Sequence, residues 1–270
     1  MVVAPPSSSP PPLDECLISP GLAPVPGRVL YLGLVDYGAA WRLQLQLLDA
    51  VLHDRAPDLL LLCQHPDVIT VGRRQRARDN ILHARFPTFE VERGGDATYH
   101  GPGQLVGYPI LKLRPNPPAT PSPSERDLHR YLRALEGGLI DLCAACGIDA
   151  GRSPGATGVW TRAHPARKLA SMGIAVRRWI TFHGFALNVT TDLSRFSAIN
   201  PCGFSADVMA SLQSQGGHLP GAPDRDVTVE DLLPAAATFI GARLNRQFMQ
   251  TDPAWLTDLL GIDALSGLNN

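Results

Sequence analysis

Short apolar runs alternate along this chain with leucine stripes at helical spacing, and that alternation limits it to a layered fold of sheet and helix. Trp41, Leu45, Leu48 and Leu52 recur at intervals of three and four, which predicts an amphipathic helix over about 37–53. Residues 59–63, 68–72 and 105–110 are apolar runs rich enough for buried strands. Leu128, Leu132, Leu135, Leu139 and Leu142 mark a second long helix. Strand-like segments follow at 156–160, 168–176 and 183–189. Thr228 then caps a third helix, with Glu230 and Asp231 suiting its positive first turn and Leu233, Ile240, Leu244 and Phe248 as its buried face. Mixed strands with a few long helices indicate an α/β or α+β domain, with one layer of helix against the sheet.

A chain of 270 residues buries roughly 70–75% of its unfolded surface and needs neither disulfide nor metal staples. Residues 1–27 hold eight of the 25 prolines and no basic residue, the composition of a disordered lead-in rather than of a signal or transit peptide. Five prolines between 115 and 123 predict an exposed loop. The organisation expected is therefore a Pro-rich lead-in at 1–27, a folded domain over 28–250, and a C-terminal helix and tail over 251–270. A formal net charge of −1 argues against a nucleic-acid binder held by bulk electrostatics. No stretch approaches the ~20 apolar residues of a membrane span. Five cysteines, an odd number, suit reduced thiols in the cytoplasm. Cys143 and Cys146 form C-x-x-C inside a helical stripe with no second ligand pair, so core packing is expected, not zinc. Cys63 ends an apolar strand, and Cys16 falls in the lead-in.

Of the basic residues only Lys112 and Lys168 are lysines; the other 22 are arginine. Arginine keeps its proton in proteins, so lysine is retained where a deprotonatable amine matters, or where it is an ordinary surface residue. Four glycines lie within the ten residues from Gly94 to Gly103, between two predicted strands and interleaved with Asp96, Thr98, Tyr99 and His100. They permit backbone approach to a ligand that Cβ atoms would block, and Arg93 adds a charge. No Walker loop or G-x-G-x-x-G is present. Small residues at Ala170, Ser171, Gly173, Gly184 and Ala186 lie on two neighbouring strand candidates, which would form a shallow channel for a linear apolar chain if they pair. Cys202 sits between Pro201 and Gly203, on a turn that presents its sulfur.

R-G-G-D-A-T-Y-H-G-P-G-Q-L-V-G-Y-P, then G-V-W with R-K-L-A-S-M-G-I, then F-H-G-F-A-L-N-V, then I-N-P-C-G, in this order, resembles the lipoyl (octanoyl) transferases. The resemblance runs from about Arg28 to Phe248. It implies the biotin/lipoate protein ligase-like fold, an α+β mixed sheet flanked by helices. It further implies transfer of an octanoyl group from octanoyl-acyl carrier protein to a specific lysine of lipoyl domains, the first step of protein lipoylation. By this resemblance the acceptors are the lipoyl domains of 2-oxoacid dehydrogenase complexes and the glycine cleavage H protein. Cys202 matches the acyl-thioester nucleophile, and Lys168 the lysine that lowers its pKa. Arg93, Gly94, Gly95, Asp96, Ala97, Thr98, Tyr99 and His100 match a first substrate-binding loop, Ser171, Met172 and Gly173 a second, and Gly184, Phe185 and Ala186 a third. Met172 and Phe182 stand where Ile and Tyr are common. No metal and no cofactor is implied, since thioester to amide is downhill.

His183 is expected to position substrate, with a Cys–His pair as second choice to the Cys–Lys pair. Arg73, Arg74, Arg76 and Arg78 follow a predicted strand, either as a solvated loop or as a docking site for the acidic carrier protein. The nearest rival function is an ATP-dependent lipoate or biotin protein ligase of the same fold, which has no need of Cys202. A non-enzymatic binder of lipoyl domains or acyl chains, and a cysteine hydrolase using Cys202 with His183, are weaker alternatives.

Overall fold

Asp36 starts the first helix: its carboxylate accepts the Ala39 backbone N–H at 2.8 Å, an N-cap bond that satisfies one otherwise orphaned donor. The computed structural model describes residues 16–17, 23–75, 77–83, 85–115, 124–201 and 204–261. Arg76, Cys202, Gly203, most of the lead-in, nearly all of the 115–123 proline segment and the tail after 261 lie outside the described residues. The strands are β1 Val25–Leu34, β2 Asp58–Gln64, β3 Val68–Val71, β4 Thr88–Glu90, β5 Ala97–His100, β6 Gln104–Ile110, β7 Ala150–Ser153, β8 Ala156–Thr161, β9 Lys168–Arg177, β10 Ile180–Asn188, β11 His218–Leu219, β12 Ala222–Asp226 and β13 Arg246–Gln250. The helices are α1 Tyr37–Leu52, α2 Leu128–Ala145, α3 Val229–Leu244 and the short α4 Trp255–Leu260.

Eight strands form one mixed sheet in the order β13-β1-β2-β6-β10-β9-β8-β7. The β13-β1-β2 end is parallel and the remaining pairs are antiparallel. Helices cover both faces, not one. On one face Leu60 and Leu62 of β2 join Leu135, Leu139 and Leu142 of α2 and Ile240 of α3. On the other, Leu59, Leu61 and Cys63 join Leu43, Leu47 and Val51 of α1 and Leu256 of α4. Burial on both sides is why β2 reads as an unbroken apolar run instead of alternating. A separate small sheet, β4-β3-β5, lies outside the large one.

Packing overrides several stripes read from spacing. The buried line of α1 is Ala40, Leu43, Leu47 and Val51 with Leu48, while Trp41, Leu45 and Leu52 are half-buried. Small Ala40 lets the helix approach the sheet. In α2, Tyr131 takes the place expected of Leu128, which is exposed. The third helix is capped by Thr228, which accepts the Asp231 N–H. It ends at Leu244, because Asn245 turns left-handed at φ 53°. Phe248 therefore belongs to β13, an edge strand with no apolar run to announce it. Cys143 and Cys146 are core residues, and burial raises both thiols, Cys146 to about 12.

The chain is also packed earlier than its proline content suggests. β1 starts at Val25, inside the expected lead-in. Leu17 is fully buried, its N–H donating to the Arg243 carbonyl and its carbonyl accepting from Arg130 Nε, both at 2.9 Å. Cys16 beside it is buried too.

A buried ionic cluster ties β13 to β2 and to the segment before α2. Arg246 Nε donates to Asp58 at 2.7 Å, and its two terminal nitrogens grip Glu125 at 2.7 and 3.0 Å. All three side chains are at most 4% exposed. Removing one partner strands the others' charge, so Arg246→Ala should lower stability by about 3–5 kcal/mol in chemical denaturation.

Candidate active site

The β9–β10 pairing forms the floor of the site. The two strands run antiparallel with Gly184 opposite Gly173 and Ala186 opposite Ser171, bringing the small residues of both motifs side by side. Gly173 has no Cβ for a reason: one placed there would lie 2.8 Å from both Arg93 Cδ and the Gly94 carbonyl oxygen. The glycine-rich segment thus rests directly on β9, where Gly94 N–H donates to the Ile174 carbonyl at 2.9 Å.

Two cavities meet at this contact, sharing Asp96, Met172 and Gly173. The first runs beneath β5 and is lined by Arg93, Thr98, His100, Ser171, Phe185 and Ala186, with Tyr37, Tyr108, His183 and Gly184 completing it. The second opens beside Lys168, with Gly94, Gly95, Leu132, Phe204 and Arg74 on its wall. Because β5 is a strand and not the loop expected, its side chains alternate. Thr98 and His100 face the first cavity. Ala97 and Tyr99 line neither; Tyr99 packs on Phe196, its hydroxyl donating to Asp67 at 2.6 Å. Thr98 Oγ1 and Ser171 Oγ are buried in the cavity wall with no hydrogen-bond partner among the described residues.

A directional line of hydrogen bonds holds the first cavity. Arg93 donates to the Thr70 carbonyl and hydroxyl at 2.8 and 3.0 Å. Gln104 Nε2 donates to Asn188 at 2.9 Å, so Gln104 Oε1 accepts from His100 Nδ1 at 2.8 Å. With that tautomer fixed, His100 Nε2 accepts from the Thr70 hydroxyl at 3.3 Å. Asn188 in turn donates to the Ala210 carbonyl, and Ala210 N–H to the carbonyl of Lys168, both at 2.9 Å. Next to this line, His65 Nδ1 donates to the Val35 carbonyl and Nε2 accepts from the Tyr108 hydroxyl, both at 2.7 Å. Burial disfavours the imidazolium, pushing His65 down to about 4 and His100 to about 3. His183 is also pushed down by burial, against the pull of its hydrogen bond to Glu92.

The two lysines separate cleanly. Lys112 is at the surface, its ammonium 2.5 Å from Asp54. Lys168 is 1% exposed, and its Nζ sits 5.4 Å from the centre of the Trp160 ring, within cation–π range. That indole also meets Phe204, edge-on at 5.5 Å. Gly158 explains the G-V-W motif: at φ +123° a Cβ would meet the Ala170 carbonyl oxygen at 2.4 Å and Lys168 Cε at 3.0 Å. Its bare backbone is the bed on which the lysine stem lies. Pro201 and Phe204, which bracket Cys202 and Gly203, are described; Phe204 N–H donates to the Pro201 carbonyl at 3.0 Å and its ring lines the Lys168 cavity.

Tyr37, Tyr108 and His65 escaped sequence reasoning. A tyrosine in the middle of the otherwise apolar 105–110 run was the available signal for Tyr108, and nothing local marks the other two.

A family model described as the lipoyl protein ligase A/B catalytic domain matches residues 36–240. An octanoyltransferase of Geobacter metallireducens is 48% identical over 183 residues, 68% of this chain and 80% of its own. An octanoyltransferase of Mycobacterium tuberculosis is 44% identical over 217 residues, 80% of this chain and 86% of its own. Among solved structures, the putative lipoate protein ligase of T. acidophilum with bound lipoic acid superposes with a TM-score of 0.62 at 15% identity, covering 87% of this chain and 92% of that one. Lipoate-protein ligase A bound with ATP gives 0.62 at 15%, covering 89% and 94%. At such identity these two establish the fold, in agreement with the mixed α+β sheet read from the sequence.

The histidines make stability depend on pH in a defined direction. Each has a folded pKa below its ordinary 6.5, so the unfolded chain binds more protons between the two values. Stability should be fully present above about pH 6.5 and fall as pH drops toward 4, read as a declining urea midpoint; His100→Gln should flatten that decline.

Proposed function

From the premise that this chain belongs to the lipoyl protein ligase A/B catalytic domain family, we propose that it is an acyltransferase moving an octanoyl group from octanoyl-acyl carrier protein to a lysine of lipoyl domains. Its octanoyltransferase relatives match over 80% or more of their own length. The ATP-dependent ligases share its fold at 15% identity, and that alternative fits less well.

In the first half-reaction, the Cys202 thiolate attacks the thioester carbonyl of the donor and the carrier thiol leaves. In the second, the lysine amine of a lipoyl domain attacks the enzyme thioester, forming an amide and returning the thiol. An unperturbed thiol titrates near ~8.5, so only a few per cent is thiolate at neutral pH. The Lys168 ammonium favours the thiolate electrostatically and, unlike arginine, can pass a proton to the departing thiol and recover one from the attacking amine. The observation that carries this pairing is the shared indole. Lys168 and Phe204, two residues beyond Cys202, both touch Trp160 and line one cavity. The octanoyl chain occupies the adjoining first cavity, between β5 and the β9–β10 floor, with Ser171, Met172, Gly173, Gly184, Phe185 and Ala186 along it. Arg93, Asp96, Thr98 and His100 line its other side, while Gly94 and Gly95 border the mouth. Lipoyl domains of 2-oxoacid dehydrogenase complexes and of the glycine cleavage H protein are the acceptors this reading assigns. No described helix is long and apolar enough to cross a membrane, and the unbonded Cys16, Cys63, Cys143 and Cys146 fit a reducing cytoplasm.

Intact-protein mass spectrometry after incubation with octanoyl-acyl carrier protein should detect an octanoyl adduct on Cys202 that moves to an added lipoyl domain. Cys202→Ser should abolish it, and Lys168→Arg should slow transfer by roughly 10²–10⁴-fold, the usual value of a positioned proton-transfer group. Full activity of Cys202→Ser in the presence of ATP would favour a ligase instead.

Arg73, Arg74 and Arg78 line an open groove, and Arg74 also borders the Lys168 cavity. Arg78 is engaged by Glu90 and Arg74 lies 3.6 Å from Asp96. We assign this face to docking of the acidic carrier protein; Arg76, between these residues in sequence, lies outside the described residues. Reversing Arg73 and Arg78 to Glu should lower use of carrier-bound octanoyl by about tenfold or more while sparing a small octanoyl thioester, because rim charges act on encounter rate. Equal losses for both donors would exclude it.

A further inference from the structure

The first cavity and the arginine groove are lined by neighbouring residues of the same elements. Tyr37 lines the cavity and Trp41, one turn along α1, lines the groove. Arg93 lines the cavity, and its sequence neighbour Glu92 lines the groove. His183 closes the gap between them. Its Nε2 lies 3.4 Å from Glu92 Oε2, and the same carboxylate oxygen accepts from Trp41 Nε1 at 3.1 Å. These contacts leave cavity on one side and open surface on the other.

His183 is held there against its backbone preference. It is left-handed, at φ 56°, in the middle of β10. A non-glycine residue in that region costs of order 1–3 kcal/mol and persists only where its surroundings over-determine it. Its N–H is turned out to Gln44 of α1, whose Oε1 accepts it at 2.9 Å. β10 resumes pairing with β6 only at Phe185. The kink thus aims the ring at Glu92 and interrupts the pairing with β6, while the register with β9 continues.

The cavity's other boundary is different in kind. Tyr108, His65 and His100 are hydrogen-bonded and buried, and Cys63 and the apolar core lie behind them. Removing one of those residues leaves a dead end. Beyond His183, by contrast, Glu92 and Trp41 line the open groove. In the β9–β10 register His183 lies opposite Ile174, toward the far end of β9 from Lys168.

On the reading that this cavity holds the acyl chain, we infer that His183, clamped by Glu92 and braced by Trp41, closes the end of the cavity away from Lys168 and sets the longest acyl group the protein accepts. Glu92 and Trp41 act through His183 and touch no substrate, so they are positioning residues.

The test is the chain-length profile of transfer from hexanoyl, octanoyl, decanoyl and dodecanoyl thioesters in Glu92→Ala and Trp41→Ala, two independent ways of loosening the wall from outside. The rate ratio of dodecanoyl to octanoyl should rise roughly tenfold or more in each, the scale on which pockets discriminate added methylenes. Glu92→Gln retains an acceptor oxygen and should restore the original profile, which a merely structural role would not require. An unchanged ratio in variants whose thermal melts remain cooperative overturns the wall alone. Absence of transfer by the unmodified protein for every chain length overturns the acyl-transfer reading, and this inference with it.

Discussion

The antiparallel register between β9 and β10 is the constraint on which the site depends. It sets Gly184 against Gly173 and Ala186 against Ser171, and it starts β9 at Lys168. A slip of β9 by one residue would turn its side chains to the opposite face, pointing Met172 and Lys168 elsewhere. Around that register the polar line from Arg93 to Ala210 works as a clasp. It runs in one direction, and its last N–H returns to the Lys168 carbonyl. Because the line is buried, breaking it anywhere leaves an unsatisfied group, costing roughly 1–3 kcal/mol.

The chemistry proposed for the site follows from how differently it treats its basic groups. The histidines nearest the first cavity are held neutral by burial and serve as fixed donors and acceptors. Lys168 is buried as well, but against an aromatic face at a cavity mouth, on a bare glycine bed. A lysine amine can give up and recover a proton, whereas His65 and His100 are each engaged at both ring nitrogens. This favours Lys168 over those two histidines within the proposed mechanism, and His183, the histidine expected to compete, has its Nε2 on Glu92.

Much of the fold was legible because local pattern and tertiary demand agreed. The run in β2 reads as buried on both faces and is so, and Thr228 caps α3 as its side chain allows. The failures share a cause. β13 is a strand because β1 supplies its hydrogen-bond partners, not because its residues alternate or are apolar, and β5 is four residues long between glycines, paired by β3. The buried line of α1 runs through Ala40 and Leu43 because the sheet demands close approach there, which leucine spacing alone does not encode. Leu17, in a proline-rich segment, is buried by α2 and α3, elements more than a hundred residues away.

Sequence alone determined which chemical groups this protein owns: a lysine where arginine is otherwise universal, a cysteine between proline and glycine, and glycines spaced so that backbones can touch. Those are properties of residue type, carried by the chain in any conformation. Only the tertiary structure decided that Lys112 is a surface residue and Lys168 a buried one, that Thr98 faces the cavity while Tyr99 turns away, and that His183 meets Glu92. Burial and direction depend on what is packed opposite each side chain, and that partner comes from elsewhere in the chain.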